Sequence, residues 1–293
     1  GLGKIARPHT LGYIGSPYRP RDEHVISSWR RVLGDVKRLE GLITPRIAIG
    51  DFIDIFNSLA LHHLGAVAFL SAHRGTRLER LTYPMLFSSK EFLGISDKES
   101  SEYSSYRVLP RFASLDWILD AYLKLLKSLA TRMNRHDRKL AKRLEAISSG
   151  QRKHCPLFFT LVAKGNTWEL RPIRTKELTD YFLKEFGTAR NFGRHFWLSK
   201  LIENGASRML VRFFLGHARR GMEPHGAASG VSVRAACEAL APILASIASE
   251  CGFPAAGMTP LAAIGTPGQI PFRFPRILPK SENESVAEYI ASL

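Results

Sequence analysis

Apolar residues recur at helical spacing over most of this chain. Positions three and four apart form apolar stripes, which is the pattern of amphipathic helices. The longest such stretch, residues 47–70, follows the helix-start signal Thr44 and Pro45 and should form one or two core helices. The predicted helices cover residues 24–42, 47–70, 114–130, 175–186, 191–205, 210–217 and 231–250.

Local signals refine the ends of these helices. Ser114 and Thr175 stand where an N-cap is expected, because a short hydroxyl side chain can accept a hydrogen bond from an unpaired N–H group of the first turn. Gly187 should end the helix that Thr175 begins. Pro242 lies inside the last helix and should bend it or divide it in two, because proline has no N–H group to donate.

Two pairs of short strand-like runs interrupt the helices. The first pair is 92–96 with 105–109, across a polar stretch. The second is 157–162 with 168–170, around the turn residues Gly165 and Asn166. The predicted fold class is therefore mainly α with small β-hairpins, an α+β arrangement.

The charge balance points to a polyanionic partner. The 293 residues carry a formal net charge of +16, with a pI near 10.1, and nucleic acid fits that balance best. A membrane surface is the competing polyanion, but we expect no membrane partner, because we find no uninterrupted apolar run long enough to cross a bilayer and no lipidation signal. The most one-sided segment is 132–153, which we interpret as a surface that follows DNA phosphates.

The cysteines favour a reducing compartment. Cys155, Cys237 and Cys251 are three in number and include no Cys-x-x-Cys pair, which argues against a disulfide framework and a zinc cluster. We therefore expect a cytoplasmic protein without a zinc cluster. The chain begins at Gly1 without a methionine or a signal-peptide pattern, which fits a processed or trimmed end.

The helices at 191–205 and 210–217 carry the most informative polar residues. Arg194 and His195 stand at the entry of the pair and His217 at its exit, with Gly205 between the helices. Polar residues at helix ends can meet an anion, because helix ends lie at the surface and a guanidinium group binds phosphate through two parallel hydrogen bonds. A plain helical hairpin with solvated charges explains the same spacing.

The order of these residues resembles the catalytic core of tyrosine recombinases, the phage-integrase superfamily. That family has a His-x-x-Arg-His box, a Leu-Gly-His box and, in some integrase-like members, a Gly-x-Glu-Pro segment after it. The resemblance covers roughly residues 50 to 252 and implies a recombinase-type catalytic domain. The residues that carry it are Asn191, Arg194, His195, Leu215, Gly216, His217 and the segment 221–224.

The resemblance also assigns two earlier positions. The family's first catalytic arginine follows a core helix in a glycine-containing turn, and Arg74 matches that place, with Arg77 as the alternative. The family's catalytic lysine lies in the turn of a β-hairpin, a place that Lys98 matches.

In the family, a tyrosine attacks a DNA phosphodiester and is joined to the 3′ phosphate. The family needs neither a metal nor a nucleotide cofactor for this step, so the resemblance implies no metal and no cofactor. The resemblance implies that Arg74 and Arg194 hold the non-bridging oxygens, that His217 donates to the phosphate and that Lys98 protonates the leaving 5′ oxygen. Asn191 stands at the position of the usual general base, but an asparagine amide cannot accept a proton at neutral pH.

The nucleophile is the main departure from the family. Its tyrosine should fall at Gly226, Ala227 or Ala228, and no tyrosine is there. Three explanations stay open. The protein is a degenerate recombinase that binds DNA without cleaving it, or a tyrosine has been replaced, most simply at Ala228, or another group attacks, such as Ser229 or a partner's Tyr289.

The resemblance completes the predicted organisation. Residues 1–45 form an arm and a helix, which could be the remnant of a separate DNA-clamping domain, 46–252 the catalytic-type domain and 253–293 a proline-rich tail. The expected partner is duplex DNA in a bacterial nucleoid, bound by a homo-oligomer, alone or with other recombinase subunits. The residues expected to bind DNA are Arg77, Arg138, Lys139, Lys142, Arg143, Arg219 and Arg220.

A different class of function fits the same sequence. A basic helical nucleic-acid-binding scaffold would match the boxes by chance, and its Arg74, Lys98, Arg194 and His217 would be scattered in space. A metal-dependent nuclease is disfavoured, because no paired acidic motif lies near the basic boxes.

Overall fold

The part of the chain that the structure describes is mainly helical, with two small antiparallel strand pairs. The computed structural model describes residues 20–75, 77, 81–96, 106–165, 167–188, 190–216 and 232–254. The elements in chain order are α1 (Asp22–Gly41), α2 (Ile49–Leu70), α3 (Tyr83–Phe87), β1 (Phe92–Ser96), β2 (Tyr106–Pro110), α4 (Ala113–Met133), α5 (Arg138–Ser148), β3 (Phe159–Lys164), β4 (Thr167–Pro172), α6 (Thr175–Phe186), α7 (Phe192–Glu203), α8 (Arg208–Leu215) and α9 (Val233–Glu250). The prediction of an α+β fold is confirmed at this level.

Helix α2 is the centre of the core. It packs against α1, α4, α6, α7 and β3. By length and composition α2 could cross a membrane, although Asp51, Asp54 and other polar residues interrupt it, so it is not an uninterrupted apolar run. Of its most apolar 18-residue stretch, 67% is buried inside the protein, as in a core helix.

An aromatic cluster joins α1 to the rest of the core. The ring of Trp29 lies 4.8 Å from that of Phe69 on α2, 4.9 Å from Phe186 on α6 and 5.2 Å from Phe253 after α9. Aromatic side chains bury large apolar areas and therefore contribute strongly to such contacts. Helix α1 thus shares one core with the helices that follow it, while the domain boundaries at 45 and 252 remain a prediction.

Both hairpins form where the sequence predicts them, with ends shifted by one or two residues. In the first, Ile95 of β1 stands opposite Arg107 of β2. In the second, Asn57 of α2 fixes β3 by two hydrogen bonds, donating to the Leu161 carbonyl at 2.9 Å and accepting from the Leu161 N–H at 2.7 Å. A side-chain amide can replace a neighbouring strand in this way because it carries both a donor and an acceptor.

Three local predictions need correction. The N-cap of α4 is Phe112, and Ser114 instead donates its hydroxyl to the Pro254 carbonyl at 2.8 Å. The N-cap of α6 is Arg174, so Thr175 is already helical. Helix α9 runs on through Pro242, so it is not divided there, and a bend stays a prediction. For Ser114, the Pro254 carbonyl after α9 takes up the hydroxyl that a cap would use.

Candidate functional site

Arg194 lies in the first turn of α7, and the packing of that helix on α2 sets its direction. Phe196 and Trp197 are buried against Phe69, and the indole N–H of Trp197 donates to the Phe69 carbonyl at 2.6 Å. Gly193 permits the close approach, since a Cβ there would lie 3.1 Å from the Phe69 ring. The first turn of α7 is therefore held against the C-terminal end of α2.

The guanidinium group of Arg194 connects two other parts of the chain. Its Nη1 donates to the Ala72 carbonyl at 2.8 Å and its Nη2 to the Leu215 carbonyl at 2.6 Å. Ala72 belongs to the turn after α2, and Leu215 is the last residue of α8. The Arg194 residue is only 9% exposed, so its position is set by these contacts and not by solvent.

Arg107 makes the same kind of connection from strand β2. Its Nη1 donates to the Phe214 carbonyl at 2.5 Å and its Nη2 to the Ala72 carbonyl at 2.9 Å. The Ala72 carbonyl thus accepts from both arginines, and each of the last two carbonyls of α8 accepts from one. We call Arg107 and Arg194, with the carbonyls of Ala72, Phe214 and Leu215, the arginine clamp.

The arginine clamp lies at the C-terminal end of α8. There the last helical carbonyls lack intrahelical partners and the helix dipole is negative, so cations are favoured. Gly216 ends α8 with a φ of 61°, and a Cβ at Gly216 would lie 2.8 Å from Cδ of Arg107. Both the left-handed backbone and the contact with Arg107 therefore require glycine in the Leu-Gly-His box.

The turn after α2 is fixed from two sides. Ala72 has a φ of 48°, uncommon for a residue with a side chain, and His73 Nδ1 accepts from the Gly75 N–H at 2.8 Å. On the other side, Arg190 Nε donates to the Arg74 carbonyl at 3.1 Å. A Cβ on Gly75 would clash with the Arg190 side chain. The backbone that carries Arg74 is thus held between the arginine clamp and Arg190.

The predicted site residues divide into three groups. Arg74 lies two residues after Ala72, so its backbone is adjacent to the carbonyl that Arg194 contacts. Asn191 is exposed at the N-cap position of α7 and makes no capping hydrogen bond, and Arg77 has a φ of 56° in the segment after the turn. The positions that lie outside the described residues are Lys98, His217, Arg219, Arg220, Gly226, Ala227, Ala228, Ser229 and Tyr289.

Sequence reasoning missed Arg107 and Arg190. The signal for Arg107 was a single charged residue inside an otherwise apolar strand, which is costly to bury unless its hydrogen bonds are satisfied. Arg190 gave no signal, because it stands in a loop where an arginine is usually solvated.

The four basic residues predicted on 138–143 all lie on α5. That helix packs its apolar side on α4 and exposes the four basic side chains, none of which forms an ion pair with another described residue. We call this set the basic face of α5. Its members are Arg138, Lys139, Lys142 and Arg143.

Arg132, in the same basic segment, has a different environment. Its Nη2 donates to the Thr44 carbonyl at 2.8 Å, and its guanidinium carbon lies 4.5 Å from the centre of the Phe52 ring. Such a cation–π contact adds to the packing of the arginine stem. Arg132 therefore holds α4 to the segment before α2.

The search for a metal site in the described residues and the comparisons with known proteins both gave no match. Within the described ranges, no group of three or more His, Cys, Asp or Glu side chains is placed to hold a metal ion. The three cysteines are free thiols. No family model matches the chain, and no curated protein or solved structure matches it either.

Proposed function

We propose that this protein binds duplex DNA in the manner of a tyrosine recombinase and acts in site-specific recombination or integration of a mobile element. The observation that carries the proposal is the arginine clamp. It joins Arg194 of the second box to the turn just before Arg74 and to the end of α8 just before His217. Stretches that the resemblance assigns to one pocket therefore contact one another, which a chance match of motifs would not require.

The proposed pocket binds one DNA phosphate. Arg74 and Arg194 hold its non-bridging oxygens, His217 donates a hydrogen bond, and Lys98 supplies a proton to the 5′ oxygen. A guanidinium group carries several N–H donors and a charge that is delocalised over its nitrogens. The charge of Arg194 can therefore attract the phosphate while the same side chain donates to the Ala72 and Leu215 carbonyls.

The strand-cleaving step depends on which nucleophile the protein has. Without a tyrosine at Gly226, Ala227 or Ala228, the protein acts as a non-cleaving accessory subunit, or its tyrosine has been replaced, or Ser229 or a partner's Tyr289 attacks. Asn191 can orient a hydroxyl group or a phosphate oxygen, but it cannot be the base. The accessory role needs no nucleophile, and it is the form of the proposal that we adopt first.

The basic face of α5 supplies the sequence-independent part of binding. Exposed lysines and arginines release counterions from the DNA backbone, so they contribute affinity that falls steeply with salt. In this proposal they bring a cytoplasmic homo-oligomer onto duplex DNA, and the phosphate pocket then engages one defined position.

A second candidate is a basic helical scaffold that binds nucleic acid without a phosphate pocket. The observation that favours it is that both terminal nitrogens of Arg194 donate to backbone carbonyls. In that function Arg194 only stabilises the fold, and all affinity for DNA comes from surface charge.

Covalent capture tests the proposal. The purified protein is incubated with a library of nicked duplexes, and adducts that survive denaturation are mapped to a residue. An adduct at one residue identifies a working recombinase and its nucleophile. The absence of an adduct, with salt-sensitive duplex binding and no gain in Gly226→Tyr, Ala227→Tyr or Ala228→Tyr, supports the accessory role.

A basic scaffold would have no preferred DNA sequence. This distinguishes it from both the cleaving recombinase and the non-cleaving accessory subunit. If the wild-type protein selects no sequence from a random duplex library and forms no adduct, the recombinase-type function is contradicted. If it also fails to bind duplex DNA in a salt-sensitive way, both candidates are contradicted.

A further inference from the structure

We propose that Arg107 is a positioning residue of the phosphate pocket: it fixes the turn before Arg74 and the end of α8, without contacting the phosphate itself. This inference rests on the proposed function. The resemblance gave Arg107 no role, and the assignment comes from its contacts alone.

Two of its contacts lie directly before pocket residues. The guanidinium of Arg107 donates to the Ala72 carbonyl, two residues before Arg74, and to the Phe214 carbonyl, three residues before His217. One rigid, planar group thus spans two segments that are far apart in sequence. A change in its position would move both segments relative to each other.

The third connection is the strand on which Arg107 stands. Arg107 is paired with Ile95 across the first hairpin, and β1 ends at Ser96, two residues before Lys98. The strand that ends two residues before Lys98 is therefore paired with the strand that carries Arg107.

Burial argues against a direct role in binding. Arg107 is 3% exposed, and both of its terminal nitrogens face backbone carbonyls. A lysine at this position keeps the charge but presents one nitrogen, which cannot reproduce the planar fork that joins two carbonyls. The conservative variant Arg107→Lys is therefore a test of geometry and not of charge.

Gly216 offers a second way to disturb Arg107 without removing it. A Cβ at Gly216 would lie 2.8 Å from Arg107 Cδ, whereas a Cβ at Gly187, the C-cap of α6, would meet no atom within 4 Å. The two glycines have φ values of 61° and 65°, so alanine brings similar backbone strain at both. Gly216→Ala displaces Arg107, and Gly187→Ala is its matched control.

Arg111 provides the matched control for Arg107→Lys. Its Nη1 also contacts two backbone carbonyls, those of Leu86 and Ser89, and it pairs with Asp116 at 2.6 Å. Arg111→Lys therefore causes a similar loss of a largely buried guanidinium fork, whose acceptors are Leu86, Ser89 and Asp116.

The experiment is a scan of single neutral phosphates. The probe is the duplex that the wild-type protein selects from a random library, in which each phosphate in turn is replaced by an uncharged methylphosphonate. For the wild-type protein we expect one position where replacement weakens binding about tenfold, since a charge-assisted hydrogen bond is removed there, against about twofold elsewhere. In Arg107→Lys and Gly216→Ala that penalty should fall to the twofold background, while Arg111→Lys and Gly187→Ala keep it.

Each other outcome gives a decision. If either test variant keeps the tenfold position, Arg107 does not position the pocket, and the proposed function stands without this inference. If either control variant loses the position as well, the effect is a general loss of stability, and the inference is overturned. If the wild-type protein shows no such position, the phosphate pocket fails and this inference fails with it. Should Arg107→Lys not fold, Gly216→Ala decides.

Discussion

The arginine clamp and the basic face of α5 are built from the same residue chemistry and have opposite environments. In the arginine clamp, two buried guanidinium groups donate to three backbone carbonyls from elements far apart in sequence. On the basic face of α5, four side chains are exposed and carry no ion pair with another described residue. The net charge of +16 therefore combines cations that hold the fold with cations that are available to a polyanion.

The difference has a consequence for how each group responds to change. An exposed charge interacts through water and is screened over about 8 Å at physiological salt. A buried guanidinium depends on particular acceptors, and removing it leaves those carbonyls unpaired in a low-dielectric site. Substitutions in the arginine clamp should therefore change stability, and substitutions on the basic face of α5 should change binding.

The largest effect is expected for Arg194→Met. Methionine fills part of the volume but leaves the Leu215 carbonyl without its donor and the Ala72 carbonyl with only Arg107. We expect a loss of roughly 2–4 kcal/mol in the free energy of unfolding. This corresponds to a melting midpoint about 5–15 °C lower, measured by circular dichroism.

The matched control is Arg171→Met on β4. Arg171 pairs with Glu177 at the surface, with 46% of its side chain exposed, and such pairs contribute about 0–1 kcal/mol. Equal melting shifts for Arg194→Met and Arg171→Met would show that the arginine clamp does not hold the fold.

His63 extends the comparison to a buried side chain that is neutral in the fold and gains a charge when it is protonated. Burial lowers the pKa of His63 to about 4, although its hydrogen bond to the Leu59 carbonyl opposes the shift. The unfolded chain takes up this proton near pH 6.5, so the stabilising contribution is complete above that pH and is lost as the pH falls toward 4. Between pH 7 and pH 4.5 we expect His63 to account for roughly 2–3 kcal/mol of lost stability.

Denaturant unfolding of wild-type protein and His63→Phe at several pH values measures this contribution. The difference in stability between the two proteins should change by that amount as the pH falls, because phenylalanine cannot be protonated. Phe158→Leu, a buried substitution that removes no titratable group, is the control and should run parallel to wild type. Parallel curves for His63→Phe as well would rule out the proposed linkage.

The contrast between the two basic groups also explains what the sequence could predict. The basic face of α5 follows from local spacing: alternating apolar and basic positions on one helix put the charges on the solvent side. Both hairpins and seven of the described helices follow from the same kind of local pattern, whereas α3 and α5 were not predicted as helices. The order of the recombinase-like boxes predicts that Arg74 and Arg194 lie close together. The guanidinium group of Arg194 donates to the Ala72 carbonyl, two residues before Arg74, while a shared role in one pocket stays a prediction.

Arg107 could not be placed by such reasoning. Strand alternation puts Arg107 on the opposite face from Val108, where solvent would be expected. In the fold, α8 and α9 both pack on β2, and the acceptors of Arg107 come from positions 35 and 107 residues away. A local pattern contains no information about acceptors that tertiary packing supplies from such distances.

Arg132 is the intermediate case, and it should give an intermediate effect. Arg132→Ala removes the cation–π contact with Phe52 and the hydrogen bond to the Thr44 carbonyl. We expect a loss of about 1 kcal/mol in the free energy of unfolding, measured by urea denaturation. The control Arg138→Ala, on the basic face of α5, should stay within about 0.5 kcal/mol of wild type. Equal losses in both would mean that the contacts of Arg132 do not add to stability.

The smallest effect on stability and a general effect on binding are expected for Lys139→Glu with Lys142→Glu. Both side chains are exposed, so the free energy of unfolding should change by no more than about 0.5 kcal/mol. Affinity for every duplex should fall alike, and the slope of log K against log salt should become shallower by about 0.9 for each phosphate that the protein no longer neutralises. Lys164→Glu with Lys184→Glu, on β3 and α6, changes the net charge equally and is the control. A weakening confined to one DNA sequence, or an equal change of slope in the control, would show that the basic face of α5 is not the surface that follows the phosphates.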